Sequence, residues 1–287
     1  MKGLIVTEKR CKLDERKRCT RRRKSWKLTL ASVGACITLL ATSSAGSSGT
    51  FQLIGKGQGL PSDEFCRAAV GTDTLEPRPS NSAFNHTTPS ASFLAAYKSA
   101  IIADGGLGTS LLERVDGQYT GTTDGVLKWA SCKWGFDEDV TRATAVNESH
   151  WNQAGIGDID NGISLGILQV KARDFPATCP AVAASQKTAK VVDPNCYSYR
   201  STAFNADYKL AQQRVCFEGD VNYLTERVPA AGYPTYPHGT PDQMMWGCVG
   251  WWFSGGWFDA GSLTYIGQVQ GYLKARPWLH DVFSLAS

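Results

Sequence analysis

The stretch Asp137–Val170, DEDVTRATAVNESHWNQAGIGDIDNGISLGILQV, decides how this chain reads. Asp137-Glu138-Asp139 marks a helix start. Acids in a first turn suit the positive end of the helix dipole, and Asp137 can cap a free N–H. From Val140 to Ser149 no Gly or Pro interrupts the helix. Thr141, Ala145 and Glu148 fall at i, i+4 and i+7, so they share one face. Thr144 and Ala145 are small and leave room beside the carboxylate. Trp151 follows, and the Gly- and Asp-rich run from Gly155 to Gly166 reads as a loop.

A carboxyl group in the last turn of a helix lies against unpaired carbonyls, which disfavour its charged form. An apolar neighbour such as Trp151 would add desolvation. Both effects push Glu148 toward a protonated state near neutral pH, which a general acid needs. The competing reading is a solvated Glu on a helix end, and spacing alone favours it, because helix charges are mostly exposed.

The 287 residues have room for one large domain or two small ones. The net charge of +4 hides an asymmetry. Residues 1–30 carry twelve Lys and Arg against three acids, a net of +9, which leaves −5 for the rest. Nothing beyond that basic leader suggests nucleic-acid binding. The leader has the layout of a secretory signal: a basic segment to Lys27, an uncharged apolar run Leu28–Ala41, then Ser43 and Ala45 as small cleavage-site residues. An uncleaved anchor is the alternative, although the run is short for a membrane span. Arg21-Arg22-Arg23 lacks the apolar residues a twin-arginine signal wants after it. The apolar run also continues past Cys36, which argues against a lipoprotein site.

Three of the nine cysteines lie in the leader. The six that remain, Cys66, Cys132, Cys179, Cys196, Cys216 and Cys248, suggest three disulfides in an exported chain. Cys179 and Cys196 bracket one short irregular stretch and are the first pair expected. Zinc is a weak alternative, because no Cys-x-x-Cys pair occurs and the four His are scattered.

Residues 46–90, rich in Gly, Ser, Pro and Thr, read as a linker and irregular arm, pinned at Cys66. Helices are then expected from Ser90 or Ser92 to Gly105-Gly106, and from Thr123 or Asp124 to near Gly135. Others are expected from Ser201-Thr202 to Gly219, and from about Ser262 to Pro277. No strand ladder is evident, and the class is mainly α. Trp246, Trp251, Trp252 and Trp257 crowd a segment that looks too Gly-rich for a helix. Such rings stack well on sugars, or form a local core under a loop.

Together these residues resemble the lysozyme-like superfamily, and within it the soluble-type lytic transglycosylase domains. Glu148-Ser149 is similar to that family's catalytic Glu-Ser at a helix end. Gly166-Ile167-Leu168-Gln169 resembles its Gly-Leu-Met-Gln turn. Asn205 and Tyr208 resemble the Asn and Tyr that open its next core helix. Phe253-Ser254-Gly255-Gly256 sits where the family has Tyr-Asn-Ala-Gly, and Thr264-Tyr265-Ile266 with Val269 resembles its closing helix. The likeness runs from about Trp129 to Leu279. Thr178–Tyr199 and Glu218–Trp246 look like insertions, and Phe253-Ser254 removes a phenol and an amide from the cleft.

The resemblance implies a lysozyme-like helical domain over residues 91–287, with little β and stapled by disulfides, behind a signal peptide at 1–45. It implies cleavage of the MurNAc–GlcNAc β-1,4 bond of peptidoglycan by one carboxyl, Glu148, in a groove wide enough for a glycan strand. Ser149, Trp151, Gln169, Phe253, Ser254 and Tyr265 would contact substrate. Gln169 also reads as a turn residue bonded to backbone, and Tyr265 as a core ring. Asp158 and Asp160 stand where hydrolysing lysozymes place a second carboxylate, and otherwise read as residues making local turns. Asp158–Gly162 lacks the Glu that completes an EF-hand. A monomer is implied, with glycan strands as partner and with no cofactor, metal or nucleic acid. Membrane contact would come only through an uncleaved leader. The setting implied is a bacterial, Gram-positive cell wall. Asn147-Glu148-Ser149 and Asn85-His86-Thr87 are formal glycosylation sequons, and Asn147 is expected to be unmodified. A wall-binding protein without turnover is the other function class.

Overall fold

Helix α6 (Glu138–Ser149) is buried from Glu138 to Val146 in the computed structural model, which describes residues 50–71, 75–106, 108–280 and 283. The expected leader lies outside the described residues. The side chain of Asp137 caps α6, accepting the N–H groups of Asp139 at 2.8 Å and Val140 at 3.2 Å. In chain order the preceding helices are α1 (Asp63–Val70), α2 (Ser82–Asn85), α3 (Ala91–Asp104), α4 (Thr109–Leu112) and α5 (Thr123–Trp134). After α6 come α7 (Pro180–Ser185), α8 (Tyr197–Arg200), α9 (Thr202–Glu218), α10 (Pro241–Ser254) and α11 (Ala260–Ala275). The protein is mainly helical, as its sequence suggests. Ser90 and Ser201 cap α3 and α9 as expected, whereas the α5 cap is Thr122, one residue before the expected start. The final helix begins at Ala260 rather than about Ser262, because Asp259 caps it, its carboxylate taking the Ser262 N–H at 2.7 Å. Among the described residues no helix is long and apolar enough to cross a membrane.

Helix α11 packs on α6 and α10, and α5 packs on α9, so the main core lies between these pairs. Trp129, Trp134, Phe136, Phe204 and Phe217 fill it. Within it Arg142 of α6 is 6% exposed. Its guanidinium meets both oxygens of Asp124 at 2.7 and 2.8 Å, Glu138 at 2.9 Å and Asp139 at 2.7 Å. That set ties α5 to α6, and Arg276 reaches Asp139 from beyond α11.

Three differences from the sequence reading have physical causes. First, residues 156–171 form a small antiparallel sheet where no ladder was evident. Its strands β1 (Ile156–Gly157), β2 (Ser164–Leu165) and β3 (Val170–Lys171) pair in sequence order. Strands of two residues leave no alternation to detect. Second, within the stretch 46–90 expected as a linker and irregular arm, the described residues 50–71 and 75–90 pack against the helices, with the expected pin at Cys66 present. The Cys66–Cys132 disulfide joins α1 to α5, and Asp63 accepts the indole N–H of Trp129 at 2.7 Å. Arg78 and Asn81, both buried, donate to the carbonyls of His150 at 2.8 Å and Trp151 at 2.7 Å.

Third, the aromatic, Gly-rich segment is helix α10. Thr240 and Gln243 form a capping box, with Pro241 in the first turn. The glycines serve close approach. A Cβ on Gly247 would stand 2.3 Å from the Trp257 ring, and one on Gly250 would stand 2.7 Å from Ser262 Cβ on α11. Gly247→Ala is therefore expected to lower stability by about 1–3 kcal/mol through overpacking. Chemical denaturation would measure this, and a neutral result would mean that the Trp257 contact is loose.

Cys179–Cys196, the pair expected first, is bonded, as is Cys216–Cys248. The Cys179–Cys196 bridge belongs to a second, smaller core with Ile163, Leu165, Ala172, Val182 and Val191, separate from the main one.

Candidate functional site

The site grows from the end of α6. His150 and Trp151 both adopt left-handed backbone, with φ of 52° and 62°. Their N–H groups close back on the carbonyls of Val146 at 2.9 Å and Ala145 at 3.2 Å. Two such non-glycine residues in succession are strained. The strain is held by burial of Trp151, whose indole donates to the Arg142 carbonyl at 3.0 Å and stacks on Trp278 at 6.2 Å. The chain thus turns away sharply just after Glu148-Ser149, leaving Glu148 half-buried at the helix end.

Tyr265 of α11, itself 2% exposed, donates its hydroxyl to Glu148 Oε1. Phe253, at the end of α10, stacks on the Tyr265 ring at 5.0 Å and leaves 61% of its surface to solvent. Burial pushes the Glu148 carboxyl up to about 7. The Tyr265 hydrogen bond and the charge of Lys209 oppose that shift, while Asp158 adds to it. A carboxyl so placed can give a proton near neutral pH and take it back.

The Gly166–Gln169 turn forms the neighbouring wall. Ser149 donates its hydroxyl to the Ile167 carbonyl at 2.8 Å. Two buried amides hold the turn from behind. Gln153 accepts the Ile167 N–H at 2.9 Å, and Asn205 accepts the Leu168 N–H at 2.9 Å. Asn205 also donates to the Leu165 carbonyl at 2.7 Å. Gly166 is required there: its φ is +78°, and a Cβ would stand 2.4 Å from the Asn205 amide nitrogen. The indole of Trp252 donates to the Leu168 carbonyl at 3.2 Å from the α10 side.

Glu148, Tyr265 and Phe253 therefore come together, and the other expected contact residues have polar atoms engaged within the protein. Trp151 is fully buried in the core and cannot line a sugar subsite. The Ser149 hydroxyl is taken up as a tether, and it also accepts the Asn152 N–H at 3.0 Å. Gln169, at φ 48°, donates to the Gly166 carbonyl at 2.8 Å, the turn role that was its other reading. Ser254 accepts the Gly256 N–H at 3.0 Å and closes the end of α10. Asp158 is 48% exposed and engaged with Ser164 at 2.8 Å and Lys171 at 3.1 Å, which hold its carboxyl below the usual range although burial opposes them. Asp160 is exposed in the loop.

Sequence reading missed Gln153 and Lys209, and took Trp252 only as one of a cluster of aromatic rings. No local pattern distinguishes a buried Gln or Lys from an exposed one. A cavity of about 270 Å³ lies between α3 and the Ala177–Pro180 segment. One of about 660 Å³ lies beside Glu76, Asn85 and Tyr119–Thr122. Glu148 lines neither. Among the described residues no group of three or more His, Cys, Asp or Glu is arranged to hold a metal. Comparison of the chain with protein-family models, with characterised proteins and with solved structures finds no match.

Proposed function

We propose that this chain is an exported, lysozyme-like enzyme that cleaves peptidoglycan as a lytic transglycosylase, with Glu148 as its single catalytic carboxyl. The observation that carries the proposal is the half-buried Glu148 carboxyl, raised to about 7 and fixed by Tyr265. Support comes also from the way separate sequence pieces meet around it: the Glu-Ser pair, the Gly166–Gln169 turn, Asn205 and α11. Three disulfides fit an exported protein.

In the first step Glu148 gives its proton to the bridging oxygen as the bond from C1 to that oxygen breaks. The glutamate left behind then takes the proton of the sugar's 6-hydroxyl while that oxygen bonds to C1. The product is a 1,6-anhydro ring, and Glu148 ends protonated, as it began. Phe253 offers an exposed face for a sugar ring.

A hydrolytic course is the second reading, because Asp158 lies within electrostatic reach of Glu148. Its pairing with Lys171 makes it a poor base. A binding protein without turnover is the third, motivated by Phe253-Ser254. Incubating purified Gram-positive walls with wild type and Glu148→Gln separates the three. Anhydro ends released only by wild type support the proposal, and reducing ends point to hydrolysis. No release from either protein, with wall binding intact, leaves a binding protein. Mass spectrometry of the native protein would add a check, since a glycan on Asn147 would crowd the acid.

A further inference from the structure

We infer that the hollow of about 660 Å³ beside Glu76 is a binding site for a primary alkylammonium group, with Glu76 and Asn85 taking the charged head and Tyr119 and Pro79 flanking the carbon chain. Glu148 does not line this hollow, and the inference does not depend on the role given to that residue.

Among the described residues that line the hollow none is Lys or Arg, and Glu76 is its one carboxylate. The oxygens of Glu76 accept the backbone N–H groups of Arg78 at 2.9 Å and Thr123 at 2.6 Å, and the side-chain amide of Asn85 at 3.1 Å. All three donors are neutral, and no ion pair with Glu76 occurs among the described residues. By contrast Asp124, Asp139 and Asp207 each meet an Arg or a Lys. Asn85 is 1% exposed. Its amide nitrogen is engaged by Glu76 and by the Thr123 hydroxyl at 3.0 Å, and its buried oxygen has no partner among the described residues. A buried oxygen without a donor costs free energy, and a ligand that donates to it would remove that cost. His86, exposed beside them, donates Nδ1 to the Ser82 carbonyl at 2.8 Å, so in the neutral ring its other nitrogen can only accept.

A surplus of acceptors selects the ligand. An ammonium group brings three donors and no acceptor. A carboxylate has about four acceptor sites, of which the protein fills three at Glu76, and the Asn85 oxygen adds to what remains. An anion would meet Glu76 with no cation to offset the repulsion. A neutral sugar would leave that charge without a counter-ion. The Tyr119 ring is 7% exposed and stacks on Trp129 at 5.3 Å, so it is a fixed apolar wall, and Pro79 supplies another. The volume lies within the range of about 300–1,000 Å³ usual for small-molecule sites. Two sources carry this chemistry: a free small amine, and the amino-bearing peptide of a bacterial wall.

The test titrates the full chain with n-pentylammonium and follows backbone amide shifts by NMR. Saturable shifts at Asn85 and Gly121 are expected, and none with pentanol. Thr120→Arg adds a cation at an exposed position of the lining, and is expected to weaken binding by about tenfold or more, the contribution of one charged hydrogen bond. Glu76→Gln is expected to do the same. Should Glu76→Gln fail to fold, because Glu76 holds the start of α5, Thr120→Arg still decides. Absence of saturable shifts overturns the inference. Equal shifts with pentanol overturn it in favour of an apolar hollow, and N-acetylglucosamine binding there in place of the amine overturns it in favour of a sugar site. Purified walls with free or acetylated amines then separate the two sources. A preference for free amines that Thr120→Arg abolishes assigns the group to the wall peptide. No such preference, with n-pentylammonium still bound, assigns it to a free amine. None of these arms reads wall cleavage, so their failure leaves the reading of Glu148 standing.

Discussion

Glu148→Gln is expected to lower wall cleavage by roughly 10²–10⁴-fold, the contribution of a positioned general acid. Gln keeps the shape and can still accept the Tyr265 hydrogen bond, so the loss would report the missing proton alone. In wild type the proton is present below about pH 7 and absent above it, so cleavage should fall as pH rises through that value. The same shift makes a prediction about stability. The folded protein holds Glu148 at about 7, whereas the ordinary value is 4.5. Between these two values the folded state binds more protons than the unfolded state, so raising the pH through this window costs wild type stability. Gln cannot titrate. The stability of Glu148→Gln relative to wild type should therefore increase from pH 4.5 to pH 7. Denaturation at the two ends of the window checks this, and a constant difference would mean that the carboxyl is not desolvated.

The largest effect on folding is expected at Arg142. Arg142→Met should lower stability by about 3–5 kcal/mol, because it strands partners that were buried around one cation. Asp124, Glu138 and Asp139 are each 3% exposed or less. Met fills much of the same space, so the effect would come from charge rather than a cavity. The loss should shrink in acid, where stranded carboxyls can take up protons. A urea series at neutral and low pH would measure both. A loss under about 1 kcal/mol would show that the cluster tolerates one cation fewer, with Arg276 on Asp139 and Lys128, 3.6 Å from Asp124, sufficing.

How far the fold could be read from sequence depended on where polar groups go. Caps are local, so Asp137, Ser90 and Ser201 marked their helices. The α10 helix was hidden because Gly lowers helix propensity, and only the packing of Trp257 and Ser262 explains Gly247 and Gly250. Residues 46–90 looked like a linker because the packing of the described part comes from buried polar side chains such as Arg78 and Asn81, whose partners lie far along the chain. At the site, the helix position and the carboxyl of Glu148 were legible, as was the neighbouring turn. Trp151 was not, since a ring that reads as a sugar platform can equally be a core plug. Lys209 was not, since a lysine is presumed solvated until a fold encloses it.

Strand β2, Ala172 and the Cys179–Cys196 stretch rest on a core of their own, whereas Val170 of β3 belongs to the main one. Residues with few ties to the main interior can open without global unfolding. Deuterium should then enter the amides of Ile163 and Ala172 well before those of Leu127 and Phe204. The β1–β2 loop that carries Asp158 would breathe, while Glu148 and the Gly166–Gln169 turn, whose Ile167 and Leu168 lie in the main core, stayed fixed.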